Sequence, residues 1–351
     1  MRKYISFVMM ALCILSGAGC AGFSQQPVFT DIAGNETQPV KLVEQTLTGQ
    51  NMIHLRFSGT AELTAADVFL PDREHQIACS IAKIDAEKDE DYLATVKGNT
   101  YTEFAVSPSE AINAGETFMV RGSVSDCQHS VLDFVLPFKG LNAHPARLRI
   151  TELRPFYSSK PKSEFIEFVV TEAGNLAGLV LMNVGDKKNP HYTFPSAEVS
   201  KGEVIVYHWR SIEENICDEL SAKIVSGGTQ ACAAARDFWG PYKSVPKRSA
   251  NAVLLKDSTS GIIQDAVLYC TKKEFEKRKK TGSKWDSELL EQTAEAAVVN
   301  GVWQGGQELS GAVIADITAS KSLARSGTAS VNNAAAWKVR SAKKITMGKA
   351  Y

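Results

Sequence analysis

Residues 52–58 (MIHLRFS) and 131–138 (VLDFVLPF) decide how the N-terminal part of this chain is read. Ile53, Leu55 and Phe57 alternate with His54 and Arg56, and Leu132, Phe134 and Leu136 alternate with Val131, Asp133 and Val135. This two-residue period belongs to strands that turn one face to a core. Between them, residues 67–70, 76–84, 92–96, 102–106 and 117–124 are strand-like, with turn residues about every ten positions. No helical period is long enough to carry a crossover. About seven short strands in about a hundred residues predict two packed antiparallel sheets of immunoglobulin type over residues 38–145.

The whole chain has 351 residues, 39 basic against 39 acidic, and 44 % are hydrophobic. Those figures exclude a disordered, collagen-like or polytopic membrane chain and leave room for two domains. Zero net charge gives no electrostatic reason to expect nucleic acid as the partner. The stretch GETFMVRGSVSDCQHSVLDFVLPF (residues 115–138) resembles the closing strands of bacterial Ig-like domains that act as spacers in surface proteins.

At the N-terminus, Arg2 and Lys3 precede an apolar run from Ile5 to Leu15, too short to span a bilayer as a mature helix, and then small residues up to Cys20. LSGAGC resembles a bacterial lipoprotein lipobox, with Ala18 and Gly19 in place and Gly17 where the family usually has Leu. The expected organisation is a signal peptide over residues 1–19, lipidation at Cys20 and a polar tether over 20–37. The membrane would then be a partner through the lipid anchor, at the periplasmic face or the cell surface. Cleavage after Ala21, giving a soluble secreted protein, is the alternative. Gly17, Gly19 and Gly22 have GxGxxG spacing, but no strand precedes them.

Beyond Cys20 five cysteines remain. In an oxidising compartment Cys217 with Cys232 would close a short loop, and Cys79 with Cys127 would lie within the first domain; buried free thiols are the alternative. No CxxC or Cys/His set has zinc spacing, so neither metal nor cofactor is expected.

After the turn-rich NAHP (residues 142–145) a second β-region begins. RLRITELRPF, SEFIEFVV, GNLAGLVLMNVGDKKNPHYTFPSAEVSKGEVIVYH, NAVLLKDSTSGIIQDAVLY and SLARSGTASVNNAAAWKV with ITMGKAY follow in order. This succession resembles the strands of a lamin tail domain over residues 146–351, with insertions at 210–248 and 271–300. The resemblance implies a second immunoglobulin-like sandwich, a binding or tethering role and no catalytic set. It places Arg325, Asn332, Asn333 and Trp337 in the closing segment. The expected class is therefore all-β, two sandwiches in tandem, with a short helical insertion in the second.

The insertions are individual to this chain. The first carries Phe238, Trp239 and Tyr242, which would form a contact patch or anchor the loop. In the second, residues 271–280 hold six basic and two acidic side chains, Lys272, Lys273, Lys277 and Arg278 among them, and no acid follows Trp337. Such patches can meet polyanions. There is no GxSxG elbow, P-loop, HExxH or EF-hand ladder, and the six histidines stand singly. Glu152, Glu164 and Glu167 can converge only if their strands are neighbours; Asp257 and Asp265 bracket a hairpin, with turn capping or calcium as their roles. The function expected is a non-enzymatic envelope module meeting a protein or glycan. The alternative is an accessory to a nuclease or hydrolase that binds DNA or glycan.

Overall fold

The computed structural model describes residues 28–32, 40–71, 74–84, 101–127, 129–157, 164–186, 191–211, 213–240, 246–280, 282, 284–327 and 331–349. The chain divides into two compact units: unit 1, Met1–Ile112 with Glu116–Leu141, and unit 2, Asn113–Gly115 with Asn142–Tyr351. The boundary falls at the start of the NAHP turn. The fold is all-β and sandwich-like with a small helical part.

Unit 1 contains β1 (Val28–Ile32), β2 (Leu42–Thr48), β3 (Met52–Ser58), β4 (Ala61–Leu70), β5 (His75–Ile84), β6 (Tyr101–Pro108), β7 (Thr117–Asp126) and β8 (Val131–Lys139). They hydrogen-bond in the order β1-β8-β7-β4-β5-β6-β3-β2. The first half of β5 pairs with β4 and the second half with β6, so one strand serves both layers. The result is β2-β3-β6-β5 facing β5-β4-β7-β8, the strand order of an immunoglobulin-like sandwich. Ile53, Leu55 and Phe57 are buried as their alternation predicts, opposite Leu132, Phe134 and Leu136. The Phe57 and Phe134 rings lie 5.8 Å apart across the core.

Unit 2 begins with β9 (Arg147–Arg154), β10 (Phe165–Glu172), β11 (Gly174–Asn175), β12 (Leu179–Asn183), β13 (His191–Thr193), β14 (Glu198–Val199), β15 (Val204–His208) and β16 (Arg236–Trp239). It continues with β17 (Ala250–Asp257), β18 (Ile263–Thr271), α1 (Lys272–Lys279), α2 (Glu288–Val299), β19 (Val313–Ala315), β20 (Lys321–Arg325) and β21 (Trp337–Ser341). One sheet runs β16-β15-β10-β9-β20-β21, the other β13-β12-β17-β18-β19, and β11 pairs with β14. Ile150, Ile166, Phe168 and Tyr207 from the first sheet meet Leu181, Val253, Leu255 and Val267 from the second in one core. Thr271 and Ser287 cap α1 and α2 through their side-chain oxygens, and α2 buries Leu290, Ala294 and Ala297.

Asp265 locks the closing segment. It is buried in β18, where Oδ2 accepts from the Ile150 N–H at 2.8 Å and from Arg325 Nη1 at 2.9 Å, and Oδ1 accepts from Asn332 Nδ2 at 2.9 Å. Asn332 Oδ1 in turn accepts from Trp337 Nε1 at 3.0 Å, and Asn333 caps the short turn between them. Burial pushes the Asp265 carboxyl up to about 6, against the pull of Arg325. Asp257 caps its hairpin, accepting from Thr259 N–H and Ser260 Oγ.

The expected disulfides do not form; the five cysteines of the described residues are free. Cys79 on β5 is level with Gly122 on β7, with β4 between them, whereas Cys127 lies past the end of β7. Five residues of strand put the two about 17 Å apart along the sheet, against the roughly 7 Å limit between bridged Cα atoms. Cys232 is buried against Phe165, Val204 and Val206, while Cys217 is exposed, so no bond joins them. Burial pushes the Cys79 thiol up to about 11 and Cys270 to about 12, so both are protonated and inert at neutral pH.

Candidate functional site on the covered sheet face

Where β9, β10, β15 and β16 lie side by side, the six-stranded sheet of unit 2 is buried on both faces. Its inner face is the core; its outer face is covered by the loop 213–235 and by residues 345–348 near the C-terminus. Register places two rows there. Arg154, Phe165, His208 and Trp239 lie side by side on β9, β10, β15 and β16, and Glu152, Glu167, Val206 and Asp237 form the next row. The Arg154 guanidinium stands 5.3 Å from the Phe165 ring centre and 4.9 Å from that of Tyr157. The His208 imidazole stacks on Trp239, with centroids 3.9 Å apart. Ile345 and Met347 close over Phe165, Val204, Val206, Cys232 and Ala235.

Buried carboxylates need donors, and here the donors come from the covering segments. Glu152 is fully buried; Oε2 accepts from the Thr346 N–H at 3.1 Å and its hydroxyl at 2.7 Å, while Oε1 accepts from Ser322 Oγ. Glu167 accepts from Thr151 Oγ1 at 2.6 Å and from the Gly348 N–H at 2.8 Å. Burial, with the Glu152 carboxylate opposite, pushes Glu167 up to about 7. Glu219 Oε1 accepts from the Val225 and Ser226 N–H groups, and Oε2 from the Asp237 N–H at 2.8 Å. Asp218 Oδ1 accepts from the Trp239 N–H at 2.7 Å. These two acids satisfy the free edge of β16, which is paired in parallel with β15 on its other side.

At the centre of this face three different donor groups meet. His208 Nε2 lies 2.9 Å from Asp237 Oδ1, and Asp237 Oδ2 accepts from the Cys232 N–H at 2.6 Å. One ligand atom from each of His208, Cys232 and Asp237 falls within 4.8 Å of the other two, and all three residues are buried. Burial, with Asp237 beside it, raises the Cys232 thiol well above its ordinary value. Sequence spacing concealed this set: His208 ends a strand, Cys232 lies in an irregular loop and Asp237 sits in a four-residue strand, with no ligand-like interval among them. The one signal in the sequence is that a histidine, a cysteine and an aspartate all fall close to the apolar runs flanking the first insertion.

The other expected site residues are distributed differently. Phe238 and Trp239 are not an exposed contact patch: both are buried in β16, Phe238 against Phe194 with rings 5.4 Å apart. A strand that must seal a sheet edge buries both of its faces once a loop covers it. Tyr242 and Cys20 lie outside the described residues. Lys272, Lys273 and Lys277 are exposed on α1, where Lys272 reaches Asp316 at 3.5 Å and Lys277 reaches Glu274 at 3.8 Å. Arg278 is half-buried, 2.6 Å from Glu274 and 3.8 Å from Asp286. Glu152 and Glu167 are direct cross-strand partners, whereas Glu164 pairs with Arg210 at 2.8 Å.

A β-sandwich whose outer face is sealed by its own insertion and tail is the class of domain that these features define. Residues 146–339 match the family model TP_1001_2nd, described as a protein second domain, and the chain belongs to that family. An uncharacterized protein of Treponema pallidum (strain Nichols) is 36 % identical over 311 residues, 85 % of this chain and 78 % of the relative. No solved structure matches.

Proposed function

We propose that this protein is a non-enzymatic binding or structural module of the bacterial cell envelope, anchored by lipid on Cys20. In chain order an immunoglobulin-like spacer precedes a lamin-tail-like domain that meets a protein or glycan. The observation that carries this reading is the commitment of the acids. Glu152, Glu167, Asp218 and Glu219, four acids of the covered face and its edge, each accept hydrogen bonds from the chain's own backbone. A group so engaged is a clamp rather than an acid or base facing a ligand. The targeting segment supports the address.

The test has two arms. Metabolic labelling with palmitate is expected to mark the wild-type protein, and Cys20→Ala is expected to move it from the membrane to the soluble fraction; equal partition of the two would overturn the anchor. Turnover of a peptide, ester, phosphoester or glycan by the purified protein, abolished by Glu167→Gln, would overturn the non-enzymatic part.

A second reading has an observation of its own, the exposed lysines of α1 together with the acid-free stretch after Trp337. On it, unit 2 holds a polyanion such as DNA or an acidic glycan. Binding that weakens steeply with salt and is lost in the triple variant Lys272→Glu, Lys273→Glu, Lys277→Glu supports it; no binding at low salt removes it.

A further inference from the structure

His208, Cys232 and Asp237 come from a strand, a loop and the neighbouring strand, and Asp237 already joins the other two through His208 Nε2 and the Cys232 N–H. We propose that they form a binding site for a divalent transition-metal ion of the zinc type, which pins the loop 213–235 to the edge of the sheet.

Four observations carry the assignment. The first is convergence. In a relay of nucleophile, base and orienting acid, the carboxylate stands behind the imidazole and far from the thiol. Here the sulfur, nitrogen and oxygen atoms all lie within 4.8 Å of one another, around a common centre. The second is charge. A thiolate and a carboxylate balance a divalent cation and the imidazole stays neutral, so the occupied site carries no net charge, as a site without solvent requires. His208 and Asp237 are both fully buried. The third is the donor set. Sulfur with nitrogen and one oxygen selects zinc and its neighbours over calcium or magnesium, which take oxygen. The fourth is the support. Trp239 holds the imidazole plane from one side, and Glu219 fixes the backbone of Asp237.

Binding is balanced simply. The thiol proton of Cys232 leaves to solvent as sulfur bonds the ion, while Asp237 and the neutral imidazole contribute lone pairs with no net change of protonation. Zinc undergoes no redox step. Three protein ligands leave one tetrahedral position open. Gly348 roofs the site closely: a Cβ added there would lie 2.8 Å from Cys232 Sγ.

The test uses the full chain, purified under reducing conditions without a polyhistidine tag, with zinc and cobalt as probes. Elemental analysis after zinc loading and desalting is expected to find about one ion per chain. Cobalt is expected to give a thiolate-to-metal charge-transfer band together with the strong visible bands of a tetrahedral site. Cys232→Ser is expected to abolish the charge-transfer band, and His208→Gln to lower bound zinc at least about tenfold. The cobalt spectrum of the wild type reads sulfur ligation directly, so the proposal stays exposed even where a variant folds poorly. Wild-type protein that binds no zinc and shows no thiolate band overturns it, as does zinc retained in full by both variants.

Discussion

Both units are β-sandwiches, yet they treat the outward side of their sheets in opposite ways. In unit 1 the outward positions stay in water and carry ordinary surface pairs, such as Arg121 with Asp67 at 3.0 Å and Arg56 with Glu103 at 3.1 Å. In unit 2 the outward positions of β9, β10, β15 and β16 carry Glu152, Glu167, His208 and Asp237, all buried. The strands do not explain this difference. An insertion between β15 and β16 and a tail beyond β21 lie over this sheet of unit 2, and among the described residues nothing comparable covers the strands of unit 1. Covering a solvated face turns its alternate residues from solubilising groups into desolvated ones, each of which must be matched with a donor or a cation. A sandwich acquires a site this way without altering its inner core.

That contrast can be broken most sharply at Asp265. Asp265→Ala strands the Arg325 guanidinium in the interior and is expected to destabilise unit 2 by about 3–5 kcal/mol, while unit 1 is unaffected. All five tryptophans lie in unit 2, so denaturant titration by tryptophan fluorescence reads that unit alone. Equal losses in both units by hydrogen exchange would erase the distinction.

Next in size is a pH effect confined to the covered face. The folded Glu167 carboxyl is held at about 7 against an ordinary 4.5, so between those values the native state keeps a proton that the unfolded chain has lost. Stability is therefore full below about pH 4.5 and falls as pH rises towards 7, by up to about 3 kcal/mol. Asp265 adds a slope of the same sign at lower pH. Glu167→Gln, whose amide can serve both Thr151 and Gly348, is expected to flatten the curve between pH 5 and 8 in about that proportion. An unchanged slope in the variant would locate the titration elsewhere.

Unit 1 offers the smaller effects. A Cβ at Gly122 would lie 2.3 Å from the Phe134 ring, so Gly122→Ala is expected to cost unit 1 about 1–3 kcal/mol by overpacking, with no change in the tryptophan signal. Arg121→Ala removes a solvent-facing pair with Asp67 and a guanidinium 5.3 Å from the Phe69 ring centre, and is expected to cost about 1 kcal/mol in chemical denaturation.

The two faces also differ in how far the sequence discloses them. Ile53, Leu55, Phe57, Leu132, Phe134 and Leu136 read as core because alternation is a local property, and all six are buried. The closing segment with Arg325, Asn332 and Trp337 was visible as a pattern; its purpose, to hold Asp265, was not. The strand β16 left no trace: four residues, parallel pairing and two buried faces give no period to detect. For the same reason Phe238 and Trp239 read as an exposed patch or a loop anchor, whereas both are buried in a strand of the sheet. The meeting of His208, Cys232 and Asp237 depends on that pairing and on a loop conformation, so it lies beyond what spacing can convey.

The clamp on Glu152 and Glu167 also sets the timing of assembly. Thr346 and Gly348 reach those carboxylates across 194 and 181 residues of chain. A polypeptide synthesised from its N-terminus presents both acids, with the apolar patch of Phe165, Val204 and Val206 beside them, long before their partners exist. Contacts of such separation form late and slowly. Thr346 and Gly348 thus complete the covered face: an intermediate that lacks their contacts has its sandwich interior but still exposes an acidic flank, and is distinguishable from the folded domain.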